Sequence, residues 1–151
     1  MAQLKSYAKG DIAARLLETA LNLHFNGGDG FAVIHLAAAS EELLSGMIQR
    51  KRKSGRDLPA SASERTAREK SIATLGEIYK IDGKLKPEKE ISAYINRVRN
   101  KTKHYDNTDN EEILVILEFE SEETLRRAID NFLHHVNAPT ESMMQLIRRF
   151  R

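Results

Sequence analysis

The residue types best suited to chemistry are concentrated in one short run, Arg99-Asn100-Lys101-Thr102-Lys103-His104. Arginine carries a permanent planar cation, and histidine is the side chain that titrates near neutral pH. On a helix Asn100 and His104 share a face, whereas Arg99 lies roughly 140° around the axis from His104, so only its long side chain or a distorted helix end would let them converge. Such a set is suited to phosphate chemistry, in which histidine exchanges a proton and arginine binds charged oxygens.

A second arginine and histidine, Arg127 and His134, have a similar spacing, and Asp130 lies on the same helical face as His134. Alanine follows this arginine, and we interpret the pair as the solvated edge of a helix that packs on the core. His24 and His35 each lie alone in an apolar stretch, where histidines of a core or an interface are the ordinary interpretation.

The composition excludes several classes of function. The chain contains no cysteine, which excludes a disulfide scaffold, a thiolate metal site and a cysteine nucleophile. We predict neither a metal ion nor a cofactor, because no dense cluster of ligand residues is visible. The 24 Lys and Arg nearly balance the 22 Asp and Glu, leaving a net charge of +2. Binding to nucleic acid would therefore depend on local clusters of charge.

Neither a secretory signal nor a membrane span is predicted. The N-terminal residues run directly into a charged segment and lack the apolar stretch of a signal peptide. Residues 31–39 form the most apolar run, but the run contains His35 and is too short to cross a bilayer as a helix. We therefore expect a cytoplasmic protein that does not contact a membrane.

Helical periodicity of apolar residues dominates the rest of the chain. It predicts helices over residues 11–25, 31–53, 64–79, 88–103 and 121–136, with a short terminal helix after Pro139. Asp11 and Ser121 are predicted N-caps, and the turn Asn26-Gly27-Gly28-Asp29-Gly30 should join the first two helices as an antiparallel hairpin. The β-branched run at 113–119 predicts a short extended segment.

These elements predict one all-α domain over residues 1–151. A chain of 151 residues has the usual length of a single domain. The apolar faces of its helices must close on one another, which favours an antiparallel up-and-down bundle of four to five helices.

The motif and the helix order together resemble the HEPN superfamily. Arg99, Asn100 and His104 match the Arg-x(4–6)-His signature of that family, in which a polar residue often follows the arginine. The predicted hairpin, with its run Ala37-Ala38-Ala39-Ser40-Glu41-Glu42, is similar to the first two helices of the family, which often carry an acidic or polar residue facing the motif.

The resemblance implies a specific chemistry. Active members form homodimers in which two motifs face each other across a cleft and cleave RNA without a metal ion. By this resemblance His104 would transfer a proton, Arg99 would stabilise the phosphorane, and Asn100 would orient the phosphate or the imidazole. The residues that would contact the substrate are Glu41, Glu42, Lys101, Lys103 and Tyr105.

Two interpretations of function stay open at this stage. The first is a protein that binds RNA or nucleotides, with ribonuclease activity of the toxin type. The second is a non-catalytic interaction or regulatory module that binds a protein partner, such as an antitoxin. The basic runs at 50–56, 97–103 and 148–151 would favour RNA if they shared a face. A homodimer is predicted in both cases.

Overall fold

The computed structural model describes residues 5–54, 65–78, 87–103, 112–135 and 138–149. These residues form seven α-helices and no β-strand, which confirms the predicted all-α class. In chain order they are α1 (Lys9–Phe25), α2 (Gly30–Lys53), α3 (Ala67–Ile78), α4 (Glu88–Ile95), α5 (Arg97–Lys103), α6 (Leu117–His135) and α7 (Glu141–Arg149). The up-and-down arrangement of four to five helices stays a prediction.

The first two helices form the predicted hairpin. α1 begins at Lys9, so Asp11 lies in its first turn and is not the N-cap that the sequence predicted. The turn closes through a hydrogen bond from the backbone N–H of Gly28 to the carbonyl of Leu23 (2.7 Å), and Gly27 adopts a positive φ of 67°. The carboxylate of Asp29 then caps α2 by accepting from the N–H of Phe31 (2.9 Å).

α2 is the central helix, because it packs against α1 on one side and α6 on the other. Small residues allow the close approach of these helices, and the hydroxyl of Ser40 donates to the carbonyl of Ala13 across the α1–α2 contact (2.8 Å). The core they enclose consists of Ala13, Leu17, Ala20, Leu21, Val33, Ala37, Leu44, Leu125, Ala128, Ile129, Phe132, Met143 and Leu146.

By length and composition alone, α2 is also a helix that could cross a membrane. Core helices of folded domains pass the same test, and α2 buries Val33, Ile34, Ala37 and Leu44 within this fold. The expectation of no membrane contact stays a prediction.

The predicted helix over 88–103 is interrupted at Asn96. The backbone N–H and the side-chain amide of Asn96 both donate to the carbonyl of Ser92 (3.2 and 2.9 Å), which ends α4. The chain restarts at once, because the N–H of Asn100 donates to the carbonyl of Asn96 (2.8 Å). Residues 99–103 of the motif therefore belong to a short helix of their own, α5.

The start of α6 corrects two sequence predictions. The helix begins at Leu117, so 117–119 are helical rather than extended, and residues 112–116 form no regular element. Ser121 lies inside α6, where its hydroxyl donates to the carbonyl of Leu117 (2.7 Å) and does not cap the helix. The start is fixed by packing: a Cβ on Gly30 would lie only 2.6 Å from the Leu117 side chain.

A buried amide attaches α3 to this framework. The Oδ1 atom of Asn131, in α6, accepts from the N–H of Ala67 at the start of α3 (2.8 Å). Its Nδ2 atom donates to the hydroxyl of Ser45 in α2 (2.8 Å), and the side chain is fully buried. One side chain thus joins three helices. α7 follows Thr140, whose hydroxyl accepts from the N–H of Met143 (3.4 Å), as the sequence predicted for a short terminal helix.

Candidate functional site

Arg99 projects from α5 towards α2, where it forms an ion pair with Glu42. The Nη2 atom of Arg99 lies 2.6 Å from Oε2 of Glu42. The arginine side chain is 21% exposed and the glutamate side chain 67% exposed. The hydrogen bond from Arg99 lowers the pKa of Glu42, partial burial opposes that change, and the charges of Arg99, Lys103 and Arg68 lower the pKa further.

This ion pair lies at the wall of a cleft of about 420 Å³ that α2, α3, α4 and α5 enclose. The cleft also contains a second guanidinium group, that of Arg68 in α3, which donates to the hydroxyl of Ser92 in α4 (2.6 Å). Most of the residues that line it are of polar types. The lining residues are Ala38, Glu41, Glu42, Ser45, Gly46, Gln49, Thr66, Arg68, Glu69, Ile72, Glu88, Ser92, Asn96 and Arg99.

A second contact holds α5 on α2. The Oγ1 atom of Thr102 lies 2.7 Å from Nε2 of His35, and it also donates towards the carbonyls of Val98 (2.9 Å) and Arg99 (3.2 Å). The hydroxyl has a single hydrogen, and a carbonyl can only accept. When that hydrogen points to the backbone, Nε2 of His35 must be the donor to Thr102. His35 therefore borders the motif and is not an isolated core histidine.

Of the other predicted site residues, some are exposed on α5 and some lie outside the described part of the chain. Asn100, Lys101 and Lys103 are exposed on α5, and the charge of Lys103 reaches Glu42. His104 and Tyr105 lie outside the described residues, although His104 follows directly after the last residue of α5. The structure thus brings Arg99 together with Glu42, and the convergence of His104 on Arg99 stays a prediction.

Glu41 has a different position from its neighbour. Its Oε2 atom forms a buried ion pair with Nε of Arg127 in α6 (3.3 Å), with both side chains less than a tenth exposed. Arg127 also donates to the hydroxyl of Thr124 (3.3 Å). Glu41 borders the cleft, but its carboxylate binds the buried guanidinium group of Arg127.

No protein-family model, curated protein or solved structure matches this chain. The assignment of a function therefore depends on the chemistry of the residues and their geometry.

The second arginine and histidine do not act on a common partner. Arg127 binds Glu41, whereas Nε2 of His134 lies 3.0 Å from Nζ of Lys70 in α3. The same ammonium group binds Asp130 (2.9 Å). The contacts of Lys70 with His134 and Asp130 join α3 to α6. The predicted solvated edge is wrong for Arg127, because its side chain is buried against Glu41. In the described part of the chain, no group of three or more His, Asp and Glu side chains is placed to hold a metal ion.

The basic run at the end of α2 has local partners. Arg52 binds Glu69 through both terminal nitrogens (3.3 and 3.1 Å). Nζ of Lys51 lies 3.4 Å from Nδ1 of His135, and burial together with the charge of Lys51 lowers the pKa of that histidine. Whether the three basic runs share one face stays open, because Arg56 and Arg151 lie outside the described residues.

Three residues that border the motif were missed by the sequence analysis: His35, Arg68 and Asn96. A signal for His35 was present, because it precedes Glu42 by seven residues and so lies on the same face of α2. Arg99 and Thr102 are likewise neighbours on one face of α5. No local pattern distinguishes Arg68 from the other charged residues of α3, since only the packing of that helix brings it to the cleft.

Proposed function

We propose that this chain is a HEPN-like helical bundle of the up-and-down type that dimerises, binds RNA in the cytoplasm and cleaves it without a metal ion. The observation that carries the proposal is the position of Arg99. Its guanidinium group lines a polar cleft and binds a carboxylate from the second helix, Glu42, which is the type of neighbour that the family resemblance implies for the motif.

The reaction would be an attack of a ribose 2′-hydroxyl on the adjacent phosphate. The 2′-oxygen forms a bond to phosphorus and its proton passes to His104. The bond from phosphorus to the 5′-oxygen then breaks as that oxygen takes up the proton returned by His104. Arg99 would bind the phosphorane oxygens through its planar fork, and Asn100 would orient the phosphate or the imidazole. The products are a 2′,3′-cyclic phosphate and a 5′-hydroxyl. DNA lacks the nucleophile and would not be cut.

Purified protein should therefore cleave single-stranded RNA in the presence of EDTA and leave 2′,3′-cyclic phosphate ends. His104→Ala should reduce the rate roughly 10²- to 10⁴-fold, because it removes the proton-transfer group. His134→Ala is the matched control, since that histidine contacts Lys70 away from the motif. If wild type and His104→Ala degrade RNA at the same rate and purity, the activity belongs to a contaminant.

Arg99→Lys tests the role of the guanidinium in the same assay. Lysine keeps the charge but cannot bind two oxygens in a plane, so a bidentate role predicts a large loss of rate and simple electrostatics a small one. Arg126→Lys is the control, because Arg126 forms an ion pair with Glu123 on the surface of α6.

A non-catalytic module that binds a protein partner, such as an antitoxin, is the second candidate function. Exposed apolar side chains around the start of α6 favour it: Leu114 is 96% exposed, Ile116 76% and Phe119 57%. Apolar side chains grouped on a surface are typical of protein interfaces. Absence of His104-dependent cleavage, combined with normal folding, would favour this candidate.

A further inference from the structure

The carboxylate of Glu42 occupies a point at which cations from two helices meet. Arg99 of α5 binds it directly at 2.6 Å. Arg68 of α3 lines the same cleft, and both Arg68 and Lys103 of α5 act on this carboxylate through their charge. A guanidinium group reinforced by two further cations is an arrangement that binds the oxygens of a phosphate.

The two partners of this ion pair differ in their freedom to move. Glu42 is 67% exposed, whereas Arg99 is 21% exposed at the wall of the cleft. An exposed ion pair contributes little to stability, so the glutamate can turn into solvent at small cost while the arginine stays in place. Glu41 offers the contrast, because its ion pair with Arg127 is buried and cannot open in this way.

We propose that Glu42 is a tethered competitor for a phosphate site formed by the guanidinium groups of Arg99 and Arg68, which line the same cleft. A phosphate ester of a nucleotide or of the RNA backbone binds there when the Glu42 side chain turns out into solvent. This inference rests on the proposed function, because the ligand is the phosphate on which that chemistry acts. It adds Arg68, from a helix outside the motif, as a substrate-binding residue.

While Glu42 covers the site, phosphate cannot bind. The apparent affinity for phosphate is therefore the intrinsic affinity multiplied by the fraction of molecules in which the site is open. An exposed ion pair worth less than about 1 kcal/mol leaves the site open roughly one fifth of the time, so removing the competitor should strengthen phosphate binding about fivefold. Glu42→Gln keeps the shape of the side chain and removes its charge. Glu42→Asp keeps the charge but shortens the side chain, so it should strengthen binding by a smaller factor.

The experiment is an NMR titration of the full-length protein with inorganic phosphate at low salt, following the arginine side-chain N–H signals. Glu141→Gln is the matched control, because it removes the same charge from an exposed ion pair with Arg148 in α7. We expect about fivefold tighter binding for Glu42→Gln and no comparable change for Glu141→Gln. Adding Arg68→Gln to Glu42→Gln should reverse most of the gain.

Equal affinities for wild type, Glu42→Gln and Glu42→Asp would overturn the inference, as would a gain that Glu141→Gln reproduces. Phosphate binding is measured without RNA cleavage, so the two proposals fail separately. If Glu42→Gln binds phosphate more tightly but His104→Ala does not affect cleavage, the competitor role of Glu42 is supported and the ribonuclease proposal is excluded. If cleavage depends on His104 but Glu42→Gln leaves phosphate affinity unchanged, the competitor role of Glu42 is excluded and the ribonuclease proposal is supported.

Discussion

Glu41 and Glu42 are neighbours in the sequence and have opposite surroundings in the fold. Consecutive residues of a helix point roughly 100° apart, and here that angle directs Glu41 to α6 and Glu42 to α5. The carboxylate of Glu41 is buried with Arg127, while that of Glu42 is mostly exposed with Arg99. The same residue type therefore holds the core together at one position and borders the motif at the next.

Glu41→Ala should be much more destabilising than Glu42→Ala. Removing Glu41 leaves the Arg127 cation buried without its partner, which typically costs about 3–5 kcal/mol of the free energy of unfolding. Removing Glu42 breaks an exposed pair and should cost less than about 1 kcal/mol. Urea denaturation of the two variants measures both values. Equal midpoints would mean that the Glu41–Arg127 pair contributes nothing specific to stability.

The sequence could identify these two glutamates as candidates but could not choose between them. Both lie in the part of α2 that the family resemblance implies, and the apolar pattern of that helix is compatible with either one facing the motif. The choice depends on α6, whose Arg127 takes Glu41 as its partner. That contact joins residues 86 positions apart, and no local pattern contains it.

At the scale of elements, the position of α5 depends on its contacts with α2 and α6. The helix has seven residues and buries only Val98. Helices this short are not stable by themselves in water. Besides the buried Val98, the Thr102–His35 contact with α2 and the ion pair from Arg97 to Glu120 of α6 therefore set where the motif lies.

Thr102→Val should release one of these two contacts, because it removes the hydroxyl that accepts from His35 and keeps the shape of the side chain. We expect the imidazole of His35 to have its proton on Nε2 in the wild type, a state that ¹⁵N chemical shifts of the ring detect. In Thr102→Val those shifts should move, whereas Thr102→Ser should preserve them. A wild-type His35 with its proton on Nδ1 would contradict this assignment of donor and acceptor.

The types of the helices could be predicted from the sequence, but several of their ends could not. The end of α4 depends on Asn96, a residue that is only mildly unfavourable inside helices, and the chain on both sides has helical periodicity. The start of α6 depends on Leu117 packing against Gly30, a contact between residues far apart in the chain. Ser121 was a reasonable N-cap by type, and tertiary packing overrode that preference.

At the scale of the whole molecule, we predict a homodimer at micromolar concentration. The family resemblance implies two motifs that face one cleft, and each motif would then be incomplete without the other. Light scattering should give twice the chain mass of 17.1 kDa. A monomer at that concentration would exclude the composite cleft. The apolar residues Val33, Ile34, Ala37 and Leu44 of α2 are buried within the chain, so they do not themselves support the dimer.

α3 is held on the domain by few buried residues, so the wall of the cleft that it forms can move separately from the rest. This helix contributes Arg68, Glu69 and Ile72 to one wall, yet it buries only Ala67 and Gly76, and the amide of Asn131 binds the N–H of Ala67 in its first turn. Separating α3 would expose little apolar surface and would leave the α1–α2–α6 framework intact. Regions of this kind open by local unfolding at a lower free energy than the whole domain. We therefore expect the backbone amides of α3 to exchange with solvent deuterium well before those of α2, so that the wall carrying Arg68 opens transiently while the rest of the domain stays folded.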